Sequence, residues 1–221
     1  MEQDSLDGIV RSSMERNSSV VMEGGVGRLS GAALKRPQIT DALTRTFFEE
    51  WASVGYSALS LDAVARKAGV GKAALYRRWR SKPDMARDLV LQLSATVPGL
   101  IESGDQGSLE ADLYAMGLAG RRLMRHPLVR RIVPDLYAAI GREPALAAAM
   151  RPSEMAREKK VKTLIDRAVA RGELPANVDR RAATDLFIGP LYWRLVVLGE
   201  RCDRRQIARL AHMTAAAIIA A

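Results

Sequence analysis

The stretch from Ser60 to Lys82 carries the side chains best suited to chemistry, and that chemistry is the binding of phosphate groups. It contains seven lysines and arginines against a single acid, Asp62. Such an excess of positive charge suits the phosphate lattice of nucleic acid, because each neutralised phosphate releases counterions and this release dominates the affinity. The whole chain has the same bias, with a net charge of +9 and an isoelectric point of about 10.1.

The same stretch predicts two short helices joined by a tight turn. Ser60 stands where its hydroxyl can cap the first helix, and Gly69 stands where a helix end favours a left-handed backbone. The second helix is expected over 71–79, with Leu75 and Trp79 buried. The first helix has an apolar face at helical spacing, formed by Leu61, Val64, Ala65 and Ala68. This arrangement is the helix-turn-helix, whose second helix enters a major groove.

Residues 38–93 resemble the tetracycline-repressor (TetR) family of bacterial transcription regulators. The resemblance rests on Gly55-Tyr56 after a first helix, then LSLDAVARKAGV, then GKAALYRRWRSK with a further helix directly after it. It implies that the Tyr76 hydroxyl donates to a phosphate, and that Arg78, which stands where members often carry His, contacts one as well. Members also often carry Ser or Thr at Gly71 and Ala74, so this chain lacks two hydroxyls that commonly meet DNA.

The predicted DNA contacts combine this resemblance with the chemistry of the side chains. Lys72 lies at the start of the second helix, where side chains reach base edges or phosphates. Small side chains on this helix leave base-specific contact to Lys72, Arg77 and apolar contact with thymine methyl groups. Lys82, at the start of the next helix, can donate to a phosphate. The predicted set is Ser60, Lys72, Ala73, Ala74, Tyr76, Arg77, Arg78 and Lys82.

The periodicity of the remaining sequence predicts an all-α protein with three parts. Residues 1–35 are rich in Gly and Ser and predict a flexible leader, which either reaches a minor groove with its basic end or has no function. Residues 36–82 predict a three-helix DNA-binding domain whose first helix begins at Pro37. Residues 83–221 predict a helical domain for ligand binding and dimerisation.

Two apolar helices close the chain, and their apolar faces are wider than one core can cover. A protein surface is therefore the expected partner, and the resemblance implies a homodimer through these two helices. It also implies a small, apolar effector bound within the helical bundle. Candidate lining residues, each of which is also explained as plain core, are Met116, Leu123, Met124, His126, Tyr137, Met155, Phe187, Tyr192 and Trp193.

Enzymatic, metal-binding and membrane functions find little support in the sequence. The two histidines, His126 and His212, lie in no HExxH or GxSxG context, and no glycine loop has the spacing that cradles phosphates. The single cysteine, Cys202, forms no internal disulfide or CxxC metal site and fits a reducing cytoplasm. No apolar run reaches the about 18 residues that a membrane span needs. We expect a cytoplasmic protein that is not an enzyme and uses no cofactor or metal.

The main hypothesis is a regulator that represses transcription as a homodimer bound to a palindromic operator, and that a small effector releases from double-stranded DNA. The alternative is an architectural DNA-binding protein with little sequence preference and no small ligand. The Ala-rich face of the second helix favours the alternative, because it offers few polar groups to base edges.

Overall fold

The computed structural model describes residues 31–100 and 104–220. Every regular element in these ranges is helical, which confirms the predicted all-α fold. In chain order the helices are α1 Gly31–Ala58, α2 Leu61–Lys67, α3 Lys72–Tyr76, α4 Lys82–Leu100, α5 Leu109–Arg125, α6 Pro127–Ile140, α7 Pro144–Ala170, α8 Arg180–Tyr192, a π-helical turn Trp193–Val197, and α9 Arg204–Ile219.

The chain forms two compact units. The first contains α1 to α3, α4 as far as Leu93, and the segment 131–149. The second contains 94–130 and the chain from Met150 onward. Helices α6 and α7 each supply residues to both units, so the units are not consecutive blocks of sequence.

Aromatic side chains of α1 form the centre of the first unit. Phe47 and Trp51 are buried, and their rings meet edge to face with centroids 5.7 Å apart, a favoured geometry for aromatic pairs. Leu61 and Val64 of α2 and Leu75 of α3 complete this core and are buried as predicted. The helix-turn-helix is therefore held by an apolar face on each of its helices.

The regular part of α1 ends at a glycine, as the sequence predicts. Gly55 has φ 77° and ψ 161°, a backbone conformation that only glycine adopts without strain. Asp135 of α6 accepts hydrogen bonds from both sides of this break, from Trp51 Nε1 at 2.6 Å and from the Tyr56 backbone N–H at 2.7 Å. One carboxylate thus holds the chain on both sides of the break at Gly55, where the regular part of α1 ends.

The start of α1 differs from the prediction. The helix begins at Gly31 rather than at Pro37, so residues 31–35, for which the composition predicts a flexible leader, are helical. The rest of the predicted leader, residues 1–30, lies outside the described residues.

Close contact between α5 and α9 organises the second unit. Gly117 of α5 faces Ile207 of α9, and a Cβ added at Gly117 would lie 2.7 Å from Ile207 Cγ2. Only glycine lets the two helices approach this closely. Leu113 and Phe187 are also fully buried in this unit.

Arg171 holds together the entrance of α5 and the end of α7. Its guanidinium contacts Asp105 at 2.7 Å, the buried Asp112 at 3.1 Å and Glu173 at 2.6 Å. Glu173 in turn accepts the backbone N–H of Leu109 at 2.8 Å. These groups satisfy one another, so the network has a structural role.

Candidate nucleic-acid interface

The turn between α2 and α3 has the geometry that the sequence predicts. Gly69 has φ 66°, which is the left-handed conformation expected after a helix end. The Val70 N–H donates to the Ala65 carbonyl at 2.9 Å, which closes the turn. Gly71 then caps α3 with an extended backbone, φ −62° and ψ 137°.

Helix α3 is shorter than the predicted 71–79. It comprises the five residues Lys72–Tyr76. The chain continues to turn beyond it, with the Trp79 N–H donating to the Leu75 carbonyl at 3.1 Å. The Trp79 ring is buried, as predicted, and its Nε1 donates to Asp88 at 2.9 Å. This hydrogen bond links the segment after α3 to α4.

Lys72 and Tyr76 meet on the exposed side of α3, where both contact the same acid. Lys72 Nζ lies 2.5 Å from Asp62 Oδ2, and the Tyr76 hydroxyl donates to Asp62 Oδ1 at 3.2 Å. The hydrogen bond from Lys72 lowers the pKa of the Asp62 carboxyl, so this group is ionised at neutral pH. Partial desolvation and the neighbouring carboxylate raise the pKa of Tyr76, which therefore stays protonated and able to donate.

The other predicted contacts of α3 have different environments. Ala73 and Arg77 are exposed, whereas Ala74 is half-buried. Arg78 is half-buried and its Nη1 donates to the Ala74 carbonyl at 3.2 Å. The guanidinium of Arg78, which follows α3 in the chain, is thus held against the carbonyl of a residue in α3, and this limits the positions from which it can meet a phosphate.

Ser60 does not cap α2 with its side chain, so that prediction is wrong. Ser60 does occupy the N-cap position, and its carbonyl accepts the Val64 N–H at 3.0 Å, but its hydroxyl makes no capping hydrogen bond. The first turn of α2 carries Asp62 instead, and a negative charge there complements the helix dipole.

Two of the basic side chains in this segment have structural partners. Lys82 Nζ donates to the carbonyls of Tyr56 at 2.8 Å and Ser57 at 3.1 Å, and it lies 4.6 Å from the centroid of the Tyr56 ring. Lys67 forms an ion pair with the buried Glu50. Lysine has three N–H donors, so a phosphate contact by Lys82 would use the one that these carbonyls leave.

The residues predicted to line a ligand pocket differ in their burial and in the unit to which they belong. Met116, His126 and Phe187 are buried, but Met155 and Trp193 are 60% and 56% exposed. Tyr137 belongs to the first unit and the others to the second. Half-buried positions are Leu123, Met124, Tyr137 and Tyr192.

A cleft in the second unit, lined by several charged residues, has none of these residues in its wall. Its volume is about 470 Å³, and its wall combines four arginines with two acids. Burial raises the pKa of the Cys202 thiol at this cleft. Sequence reasoning missed the cleft because its wall comes from separate elements, namely Arg121, Arg125, Arg194, Glu200, Arg201, Cys202, Asp203 and Gln206.

Sequence reasoning left two structurally important acids unassigned, namely Asp62 at this interface and Asp135 beside Trp51 of α1. Asp62 had a usable signal, since it is the lone acid in a basic segment. Asp135 had none, because it lies 84 residues from Trp51 along the chain.

Comparison with known proteins identifies the family to which this chain belongs. Residues 44–89 match the model of "Bacterial regulatory proteins, tetR family", and residues 104–214 match that of "Tetracyclin repressor-like, C-terminal domain". The chain belongs to the TetR family of bacterial transcriptional regulators. The resemblance found in its sequence is thereby confirmed, and so are its DNA-binding and regulatory roles. TetR-family proteins typically dimerise and are generally not enzymes.

Individual relatives agree with this assignment. The DNA-binding transcriptional repressor TetR of Mycobacteroides abscessus is 33% identical over 159 residues, which are 71% of this chain and 80% of that protein. The uncharacterized HTH-type transcriptional regulator YdeS of Bacillus subtilis is 29% identical over 152 residues, covering 67% of this chain and 74% of that one.

Solved structures show the same fold at lower sequence identity. The flavonoid-responsive regulator FrrA superposes with a TM-score of 0.64 at 23% identity, over 83% of this chain and 96% of its own. The TetR-family transcription regulator SCO0332 superposes with a TM-score of 0.58 at 24% identity, over 81% of this chain and 97% of its own. Within the described residues of our chain, no helix is long and apolar enough to cross a bilayer.

Proposed function

We propose that this TetR-family protein is a cytoplasmic repressor that binds a palindromic operator as a homodimer and is released by a small-molecule effector. The observation that supports its DNA contacts is the two-sided character of α3. Leu75 is fully buried on one side, while Lys72 and Tyr76 lie exposed on the other. Such a helix presents one polar, basic side to a major groove and uses the other for packing.

Exposed apolar side chains on α8, on the π-helical segment after it and on α9 support the homodimer. Large apolar groups there remain open to solvent in the single chain, and exposed apolar surface of this kind favours a protein partner. A second copy related by a two-fold axis places its head on a second half-site, so the preferred operator is a palindrome. The exposed residues are Leu186, Trp193, Val197, Leu198, Met213 and Ile219.

Selection of bound duplexes from a random pool tests the operator. The expected product is a two-fold symmetric sequence whose half-sites are separated by about one helical turn, 10 to 10.5 base pairs centre to centre. Enrichment of a single asymmetric site would contradict the homodimer. Absence of any enriched sequence would instead support the architectural alternative, which the small exposed side chain of Ala73 favours.

Variants of the contact residues then test the site on the selected duplex. Tyr76→Phe and Arg78→Ala should weaken binding to every sequence, and Arg78→Ala should lower the salt slope by about one unit. Lys72→Ala should change the preferred sequence. Arg45→Ala is the matched control, since Arg45 is an exposed arginine of α1 outside the predicted set. Wild-type behaviour in all three contact variants would contradict the assignment.

A small apolar effector is the second part of the proposal. The structurally similar FrrA is described as flavonoid-responsive, which supports a response of the same kind here. Buried Met116 and Phe187 provide apolar groups inside the second unit. By linkage, an effector that weakens DNA binding must itself bind more weakly when DNA is present, by the same factor.

Titration of a saturated operator complex with a library of small apolar and aromatic compounds tests the effector. Release of DNA by one class of compound, with reciprocal weakening of that compound's affinity by operator, is the expected outcome. A library in which every binder leaves the complex intact would contradict induction. Competition by excess random duplex, in the same assay, separates a specific repressor from an architectural protein, because only the latter is displaced.

A further inference from the structure

Asp62 is the one acid among the basic residues of the helix-turn-helix, and it touches both ends of α3. Its two carboxylate oxygens accept from Lys72 Nζ at 2.5 Å and from the Tyr76 hydroxyl at 3.2 Å. Lys72 and Tyr76 are four residues apart and so lie on one side of the helix. The carboxylate reaches them from α2, across the turn, and links the two helices on their exposed side.

This arrangement alters what the two proposed DNA contacts offer to a phosphate. A tyrosine hydroxyl has a single proton, and Tyr76 donates it to Asp62, so a phosphate can accept this proton only by displacing the carboxylate. Lys72 has three donors and keeps two of them. Its charge, however, is already partly balanced by Asp62, with the two side chains 64% and 45% exposed.

We propose that Asp62 is a specificity-determining residue, which holds Lys72 and Tyr76 in one arrangement and suppresses binding to DNA of arbitrary sequence. The inference rests on the proposed use of Lys72 and Tyr76 as DNA contacts. Binding to random duplex is driven almost entirely by phosphate neutralisation, and a carboxylate at this position repels phosphates and competes for both donors. On a matched duplex the oriented Lys72 gains a base contact that offsets this repulsion.

Asp62→Asn tests the proposal, because it removes the charge while keeping the shape. If the lost charge is equivalent to one further neutralised phosphate, the salt slope on random duplex steepens by about 0.9. The same equivalence raises the affinity for random duplex about fivefold at about 0.15 M salt. Affinity for the selected operator should rise less or fall, so the ratio of operator to random affinity falls.

Glu49→Gln is the matched control. Glu49 is an exposed acid of α1 in the same unit and forms no part of the proposed contact set. Its replacement changes the net charge by the same amount and should leave the affinity ratio unaltered. Circular dichroism and thermal unfolding of both variants confirm that each is folded before affinities are compared.

A double-mutant cycle separates positioning from simple charge. In a Lys72→Ala, Tyr76→Phe background, Asp62→Asn should no longer change the affinity ratio, because Asp62 has lost both partners. An unchanged ratio in Asp62→Asn itself, or an equal fall in the ratio for Glu49→Gln, would overturn the proposal. Failure of the wild type to prefer any duplex would instead refute the proposed function, so the two failures are distinguishable.

Discussion

Replacement of Gly117 by alanine probes the contact on which the second unit is built. A Cβ at this position would lie 2.7 Å from Ile207 Cγ2 and 3.8 Å from Phe187 Cζ. The first distance is well inside van der Waals contact. The methyl group that it meets belongs to a β-branched side chain with one strongly preferred rotamer in a helix, and Ile207 is itself buried. Relief therefore requires the helices to move apart.

Two opposing terms set the size of the effect. Overpacking of a well-packed core by one methyl group typically costs about 1–3 kcal/mol. Alanine is favoured over glycine in a helix interior by about 0.8–1 kcal/mol. For a clash this short, with a stiff partner, the upper part of the first range applies. We therefore expect a net loss of about 1–2 kcal/mol in the free energy of unfolding.

Gly120→Ala is the matched control on the same helix. A Cβ there would lie 3.6 Å from Leu191 Cδ2, which is an ordinary contact. Only the propensity term and a small gain in burial remain, so this variant should be more stable by about 0.5–1 kcal/mol. The two substitutions are chemically identical, and their opposite signs follow from the contact alone.

Urea unfolding followed by circular dichroism measures both variants at one protein concentration, because association changes apparent stability. The difference between their midpoints, converted with a shared m-value, gives the comparison. A Gly117→Ala protein as stable as Gly120→Ala would refute the reasoning. It would mean that α5 and α9 separate by a few tenths of an ångström at no cost.

Further predictions concern the first unit, the cysteine and the proposed dimer. Asp135→Ala leaves the donors of Trp51 and Tyr56 without their acceptor, and we expect a loss of about 2–4 kcal/mol by urea unfolding; Asp135→Asn, which keeps an acceptor, should lose less. Because burial raises the pKa of Cys202, its thiolate is scarce at pH 8. Alkylation should be slower in the native protein than in urea. Met213→Glu introduces a charge into the proposed interface and should shift the protein toward monomer in analytical ultracentrifugation.

Each of these has a result that would contradict it. Equal stability of the Asp135→Ala and wild-type proteins would mean that water replaces the carboxylate at both donors. Alkylation of native Cys202 at the unfolded rate would show that the thiol is open to solvent. An unchanged sedimentation coefficient for Met213→Glu would place the dimer contact elsewhere. Ser53→Glu, at an exposed position of α1 in the first unit, adds the same single charge outside the proposed interface and is the control.

What the sequence predicted well depends on neighbours along the chain. Gly69 and Leu75 each follow from local pattern, since a helix end needs a left-handed residue and an apolar face needs burial. The burial of Trp79 was correctly predicted, but the end of α3 was not, because the apolar spacing continues to Trp79 whereas the regular helix ends at Tyr76. The side-chain cap at Ser60 was also wrongly predicted. The preference of serine for the N-cap position shows that its hydroxyl can accept a backbone N–H, but it does not show that it does so in this structure.

The remaining features depend on contacts between distant segments. No local pattern indicates that Asp135 accepts from Trp51, because the partners meet only when α6 packs against α1. The close approach of Ile207 to Gly117 could not be predicted from the sequence either, because an isolated glycine in a helical pattern has several possible explanations. The pairing of Lys72 with Asp62 spans only ten residues, yet it requires the turn geometry to be known.

The short length of α3 limits the number of base pairs that one copy of this helix can contact. Five residues of helix extend about 7.5 Å, which equals the rise of about two base pairs at about 3.4 Å each. A genome offers about 10⁶ or more competing sites, and about ten base pairs are needed to single out one of them in a four-letter alphabet. A single copy of α3 therefore recognises a short DNA sequence, which recurs by chance throughout the chromosome. In the proposed homodimer, most of the sequence information of the operator would therefore come from two such half-sites and from the number of base pairs between them.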